Sequence, residues 1–113
     1  MQLEQRQTGD VTIVKVVGDI TLNKGGDVIL KDKINSLLQQ GTKKVLLDLG
    51  SVSYVDSAGL GQLVHVHTTT THHGGQLKLL NLSKRLTDLL VVTKLATVFD
   101  SYEDEKEALA SYK

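Results

Sequence analysis

The chain has 113 residues, 13 basic and 13 acidic residues, and no cysteine, proline or tryptophan. This length is typical of one domain, so we expect residues 1–113 to form a single unit. The lack of cysteine excludes disulfides, thiol nucleophiles and cysteine-based zinc sites, and the balanced charge disfavours electrostatic binding to nucleic acid or an anionic membrane. No apolar run approaches the ~20 residues of a membrane span, and the first residues lack a secretory layout, so we expect a cytoplasmic protein without membrane insertion.

The first predicted element is a hairpin over residues 3–17, with its turn at Gly9-Asp10. A polar loop, residues 18–26, separates the hairpin from a helix that runs from about Asp27 to Gln40. Apolar residues recur at helical spacing in that helix and are the predicted buried positions: Leu30, Ile34, Leu37 and Leu38.

The continuous aliphatic run in Lys44–Leu49 predicts a strand covered on both faces, as in parallel sheets. A loop over residues 50–56 follows, with its two valines pointing inward. A second helix is predicted from about Ser57 to His73, and Gly74-Gly75 ends it. Its predicted core-facing residues are Leu60, Leu63, Val64 and His67.

The third strand of the alternating part is predicted at Gln76–Leu80, and a helix follows with Ser83 as its N-cap. Val98-Phe99 stands where a last strand is expected, and a final helix begins at about Glu103. Alternating strands and helices predict parallel pairing, while the opening hairpin makes the sheet mixed. The expected fold is α/β, with a mixed four- to five-stranded sheet and helices packed mainly on one face. The final helix is expected to bury Ala108, Leu109 and Tyr112.

The segment with the most chemical information is Val52–Gly61, because it follows a buried strand and opens a helix. A helix N-terminus exposes unpaired N–H groups and partial positive charge, so a hydroxyl there is surrounded by donors suited to a phosphate. Gly59 and Gly61 are expected to leave the first turn open to a partner, at a helix-propensity cost of roughly 1 kcal/mol each. Asp and Ser before a helix are also ordinary caps, and from composition alone capping is the commoner explanation.

The strand Val45–Leu49, followed by Asp56-Ser57-Ala58-Gly59-Leu60, resembles the STAS domain, in particular the stand-alone anti-sigma factor antagonists. The resemblance extends from Val14 to Phe99 and covers nearly the whole chain. It implies the STAS fold, a bacterial source, and a regulatory protein that is not an enzyme and needs no cofactor.

The resemblance also implies a switch. Ser57 would be the phospho-acceptor of an anti-sigma factor serine kinase of the histidine-kinase-like ATPase fold. The unphosphorylated antagonist would bind that kinase and free a sigma factor, the phosphorylated form would release it, and a phosphoserine phosphatase would reset the cycle. The implied partner-binding residues are Asp19, Thr21, Asp56, Ser57, Ala58, Gly59 and Leu60.

Two positions depart from the family pattern. Thr21 stands where many antagonists carry Asp, with Asp19 two residues away, and Ala58 stands where the best-known members have Ser. Thr21 in place of Asp changes the side chain that the loop over residues 18–26 would present to a partner. The second departure leaves Ser57 as the only hydroxyl of its dipeptide.

Other functions remain open at this point. A STAS subunit of a stressosome-type scaffold or of a lipid ABC transporter fits the same resemblance. A hydrolytic or small-ligand-binding domain using Asp56-Ser57 is a weaker alternative, because a nucleophile elbow requires glycine where Val55 stands. A metal site is not expected either, since no two histidines have the i, i+3 or i, i+4 spacing that places both rings on one helix face: His65, His67, His72 and His73.

Overall fold

The computed structural model describes residues 1–24 and 28–112. Its centre is one five-stranded sheet in the spatial order β1-β2-β3-β4-β5. β1 pairs antiparallel with β2, and the remaining neighbours are parallel, which confirms the predicted mixed sheet. The strands are β1 (Gln2–Thr8), β2 (Val11–Val17), β3 (Lys44–Ser51), β4 (Gln76–Leu80) and β5 (Ser101–Tyr102).

Four α-helices and one short 3-10 turn, Leu22–Lys24, complete the described fold. The predicted start of the first helix, Asp27, lies outside the described residues. Within the described ranges no helix combines the length and apolar character needed to cross a bilayer. The helices are α1 (Ile29–Gln39), α2 (Ser57–His72), α3 (Lys84–Val92) and α4 (Glu105–Ala110).

The sheet is covered on both faces, as the aliphatic run of β3 predicts. Val45, Leu47 and Leu49 belong to the larger core, together with buried residues of α1, α2 and α3. Leu46 points to the opposite face and packs in a smaller core against Ala108 of α4. Three helices therefore cover one face and one short helix covers the other, which confirms helices packed mainly on one face.

Lys78 is the unexpected member of the smaller core, where only 6% of its surface is exposed. Its Nζ donates to the carbonyl oxygen of Ser111 at 3.1 Å and to the Ser111 hydroxyl at 2.9 Å. The ammonium also lies 4.9 Å from the ring centre of Tyr112 and 5.6 Å from that of Tyr102. The polar head is thus satisfied by hydrogen bonds and cation–π contacts, which is what a buried lysine needs.

Three predictions about elements were wrong in detail. Val98-Phe99 is not a strand: Phe99 is buried in the larger core from a turn, and β5 begins two residues later. α4 begins at Glu105, because the Asp104 side chain caps it by accepting from the Lys106 N–H. In α2 the buried stripe is rotated from the predicted one; its buried residues are Gly59, Leu63, Val66 and Thr70.

Candidate functional site

Two loops meet at the carboxyl edge of the sheet, one after β2 and one after β3. The Gly18 N–H donates to the Ser51 carbonyl at 3.2 Å, and the Ile20 N–H donates to the Tyr54 carbonyl at 3.0 Å. The Asp56 N–H returns a bond to the Ile20 carbonyl at 3.3 Å. Because parallel strands end at the same edge, this pairing joins two segments that are more than thirty residues apart in sequence.

Asp56 fastens this junction to the start of α2. Its Oδ1 accepts from the Gly59 N–H at 2.8 Å as the N-cap of the helix, and its Oδ2 accepts from the Leu22 N–H at 3.0 Å. These N–H donors, Gly59 first and Leu22 second, hold the pKa of the Asp56 carboxyl below its usual value. Asp56 is therefore both a helix cap and a cross-link to the loop after β2.

Ser57 is the first residue of α2, and its side chain is exposed. Its hydroxyl makes no hydrogen bond with any other residue of the described ranges. A group at this position lies beside the unpaired N–H groups and partial positive charge of the helix start. The hydroxyl is thus exposed at the helix start, directly after the Asp56 carboxylate that caps it.

The two glycines of the first turns have different roles. A Cβ on Gly59 would lie 1.9 Å from the Ile20 carbonyl oxygen, so only glycine lets the helix start approach the loop after β2 this closely. Gly61 faces open space, with nothing within 4 Å of a Cβ. The expected open space is present at Gly61, whereas Gly59 is buried by internal contact; approach of a partner to this turn stays a prediction.

The other predicted partner-binding residues surround Ser57 at differing depth. Asp19 and Thr21 are half-buried on the loop after β2, on either side of the Ile20–Val55 bridge. Ala58 is half-buried in the first turn of α2. Leu60 is half-buried and packs on the larger core.

An open groove of about 450 Å³ lies between the loop after β3 and α3, and Ser57 is one of the residues that line it. Its lining is mostly apolar. The residues are Val52, Ser53, Tyr54, Val55, Asp56, Ser57 and Leu60 on the first side, and Ser83, Arg85, Leu86, Asp88, Leu89, Val92 and Thr93 on the second.

The α3 side of this groove was missed by sequence reasoning. One signal was present: the run Leu89-Leu90-Val91-Val92 covers more than one face of a helix, so part of it must be exposed. Leu90 is buried, whereas 79% of Val92 is exposed. Tyr54 on the facing loop is 48% exposed, so a large aromatic and an aliphatic side chain lie open in the groove that Ser57 also lines.

The histidines lie away from the groove. His67 packs edge-to-face on Phe99, with ring centres 5.2 Å apart, and the His73 Nδ1 lies 2.9 Å from the Thr69 carbonyl oxygen. Among the described residues no three His, Cys, Asp or Glu side chains gather as metal ligands. None of the described residues lining the groove is a histidine, so the structure places no imidazole base at Ser57.

Comparison with known proteins gives one family. The model described as "STAS domain" matches residues 2–108. The chain is 35% identical over 97 residues to the anti-sigma-B factor antagonist of Bacillus subtilis strain 168, an alignment that covers 80% of this chain and 88% of that protein.

Solved structures with the same fold are more distant in sequence. An anti-sigma factor antagonist from Mycobacterium paratuberculosis matches with a TM-score of 0.83 and 19% identity, over 98% of this chain and 92% of that chain. The anti-sigma factor antagonist SpoIIAA matches in its unphosphorylated form with a TM-score of 0.71 and 15% identity, over 96% and 94% of the two chains. The phosphorylated form of Bacillus SpoIIAA also gives 0.71, with 18% identity over 96% and 97%.

Proposed function

Because this chain belongs to the STAS domain family, we propose that it is an anti-sigma factor antagonist whose binding to an anti-sigma factor kinase is controlled by phosphorylation of Ser57. The observation that carries the proposal is the position of the Ser57 hydroxyl, exposed and unbonded at the start of α2, beside an apolar groove. The relatives with this fold that carry the same functional name add support.

The chemistry assigns different tasks to the two proteins. The γ-phosphoryl group of ATP passes to the Ser57 Oγ, the hydroxyl proton leaves, and ADP is released. Asp56 is a poor proton acceptor for this step, because both of its oxygens accept backbone N–H bonds and its pKa is lowered. In this proposal the chain supplies the acceptor, the base and the nucleotide site belong to the kinase, and the chain acts as a regulator.

Docking would combine the groove with the loops around Ser57. An apolar side chain of the kinase that fills the groove between Tyr54 and Leu89 buries surface at about 25 cal/mol per Å². Leu60 and Ala58 extend that surface along α2, and Asp19 and Thr21 extend it along the loop after β2. Gly59 contributes by holding the two loops in contact.

Phosphorylation would act on the interface and leave the fold in place. The phosphate brings about −1.5 to −2 charges to a helix start, where negative charge is stabilised by ~0.3–1 kcal/mol. The same charge at the mouth of an apolar groove must lose its water before a partner can bind. A loss of ~1.4 kcal/mol weakens binding tenfold. SpoIIAA matches this fold equally well in both states, which supports a switch of this kind.

The site is tested by incubating the protein with the anti-sigma factor kinase of the same organism and ATP, followed by mass spectrometry of peptides. We expect one phosphate, on Ser57, and none on the Ser57→Ala variant. Ser53→Ala is the matched control, because Ser53 is exposed in the loop that precedes Ser57 and lines the same groove. Label on Ser53, or no label on the wild-type protein, would refute the assignment.

In this proposal the protein acts in the bacterial cytoplasm, and a phosphoserine phosphatase restores the hydroxyl. A STAS subunit of a scaffold or a lipid transporter would have the same fold. It would not require reversible loss of kinase binding on phosphorylation of Ser57, so that loss separates the functions.

A further inference from the structure

Arg85 is a cation in an unfavourable position. It lies in the first turn of α3, which carries no acidic residue, and the partial positive charge of a helix start disfavours basic side chains. Its neighbour Lys84 is compensated by Asp88, whose Oδ2 lies 3.4 Å from the Lys84 Nζ. Arg85 forms no ion pair or hydrogen bond with any residue in the described ranges.

Arg85 and Ser57 line the same groove from its two sides. The other charged residues of the lining are Asp56, whose oxygens are occupied by backbone N–H groups, and Asp88, which is paired with Lys84. Among the described residues that line the groove, Arg85 is therefore the only cation that could pair with a phosphate on Ser57.

We propose that Arg85 receives the phosphate of phosphorylated Ser57 within the same chain and holds it across the mouth of the groove. This inference rests on the proposed phosphorylation of Ser57. A guanidinium presents two parallel N–H donors that match phosphate oxygens, and charge-assisted bonds of this kind are roughly twice as strong as neutral ones. Arg85 has no ion-pair partner among the described residues, and it would gain a counter-ion on modification of Ser57.

The consequence is a second way to release the partner. Repulsion and desolvation act wherever the phosphate points. A phosphate held by Arg85 also occupies the space between α3 and the loop after β3, which the kinase needs for docking. In the phosphorylated state the groove is then blocked by the phosphate and also carries its negative charge.

The test measures the phosphate directly. Phosphoserine is installed at position 57 during translation, and the second ionisation of the phosphate is followed by ³¹P NMR against pH. A nearby guanidinium favours the dianion, so we expect Arg85→Gln to raise this pKa by about half a unit from the wild-type value. Lys94→Gln is the control, because it removes the same charge just beyond the end of α3. The Lys94 side chain is exposed, lies outside the groove lining and forms no ion pair with a described residue. We expect that control to stay within ~0.2 units of wild type.

Equal titration of wild-type and Arg85→Gln proteins would overturn the inference. So would a shift in Lys94→Gln as large as that in Arg85→Gln, because the effect would then reflect only the net charge of the protein. Installing the phosphoserine chemically keeps this test independent of any kinase. Failure of the kinase to modify Ser57 therefore counts against the proposed function, whereas an unchanged titration counts against Arg85 alone.

Binding gives the second readout. Because Arg85 lines the groove proposed for docking, each protein is compared with its own unphosphorylated form. The loss of kinase affinity on phosphorylation is expected to be about tenfold smaller in Arg85→Gln than in the wild-type protein. An equal loss in the two proteins would overturn the intramolecular role of Arg85.

Discussion

The starts of α2 and α3 differ in how they are anchored to the rest of the molecule. Each helix follows a parallel strand and has a side-chain N-cap, Asp56 in one case and Ser83 in the other. The Ser83 hydroxyl accepts only within its own helix, from the Leu86 N–H at 3.1 Å. Asp56 also binds the Leu22 N–H of a different loop. The α2 start is thus anchored across the sheet edge, so a group added at Ser57 meets a fixed scaffold.

The electrostatics of the two starts are complementary. α2 begins with Ser57, Ala58 and Gly59, which carry no charge, and the carboxylate of its N-cap Asp56 lies at the partial positive end. α3 begins with Lys84 and Arg85, which oppose its dipole. The α2 start therefore carries negative charge, and the α3 start carries positive charge.

Of the changes considered for the two helix starts, glycine substitutions in α2 should have the largest effect on the free energy of unfolding. Gly59→Ala forces a methyl group into the Ile20 carbonyl oxygen, and we expect it to lower the free energy of unfolding by about 2–3 kcal/mol. Gly61→Ala meets open space in a helix interior and should raise it by about 0.5–1 kcal/mol. Urea denaturation measures both. Similar changes in the two variants would show that the close approach at Ile20 is not what fixes the α2 start.

Removing the two caps is expected to have the next largest effect. Ser83→Ala should cost about 1 kcal/mol, the usual value for one lost cap bond. Asp56→Ala should cost more than Ser83→Ala, because it removes the bond to Leu22 as well as the cap on Gly59. The urea midpoints of the two variants show which of them loses more stability. A smaller loss for Asp56→Ala would mean that the bond between the loops contributes nothing to stability.

The dependence of stability on pH should give the smallest effect. The Asp56 pKa is lowered in the folded protein, so its contribution is fully present above the unfolded value of ~3.9 and is lost as pH falls through the folded value. The difference in unfolding free energy between wild type and Asp56→Asn should therefore shrink between pH 5 and pH 2. Asp10, whose pKa is lowered by Lys44, is present in both proteins and cancels in the comparison. A constant difference across this range would refute the ionised cap.

Local patterns predicted most of the fold. The hairpin turn at Gly9-Asp10, the α1 core positions and the Ser83 cap all depend on neighbours in sequence, and all are confirmed. β5 was missed because it has only two residues, Ser101 and Tyr102, and no apolar alternation. Nearby Phe99 is apolar because it is buried, although it lies in a turn.

Contacts between distant segments could not be predicted. The bond from Leu22 to Asp56 uses a backbone N–H, which carries no residue-type signature. The requirement for glycine at position 59 comes from a carbonyl 39 residues earlier in the chain. Lys78 has the polar character of an exposed strand position, and its burial depends on Tyr102 and Tyr112 far along the sequence.

We propose that negative charge on Ser57 weakens binding of the kinase without unfolding the protein. The most direct measurement is calorimetric titration of the kinase with unphosphorylated and phosphorylated protein, with circular dichroism recorded on the same samples. We expect the phosphorylated protein to bind at least ~100-fold more weakly, a difference of about 2.7 kcal/mol, with an unchanged spectrum. Equal affinities, or a loss of affinity that accompanies a collapsed spectrum, would contradict the claim.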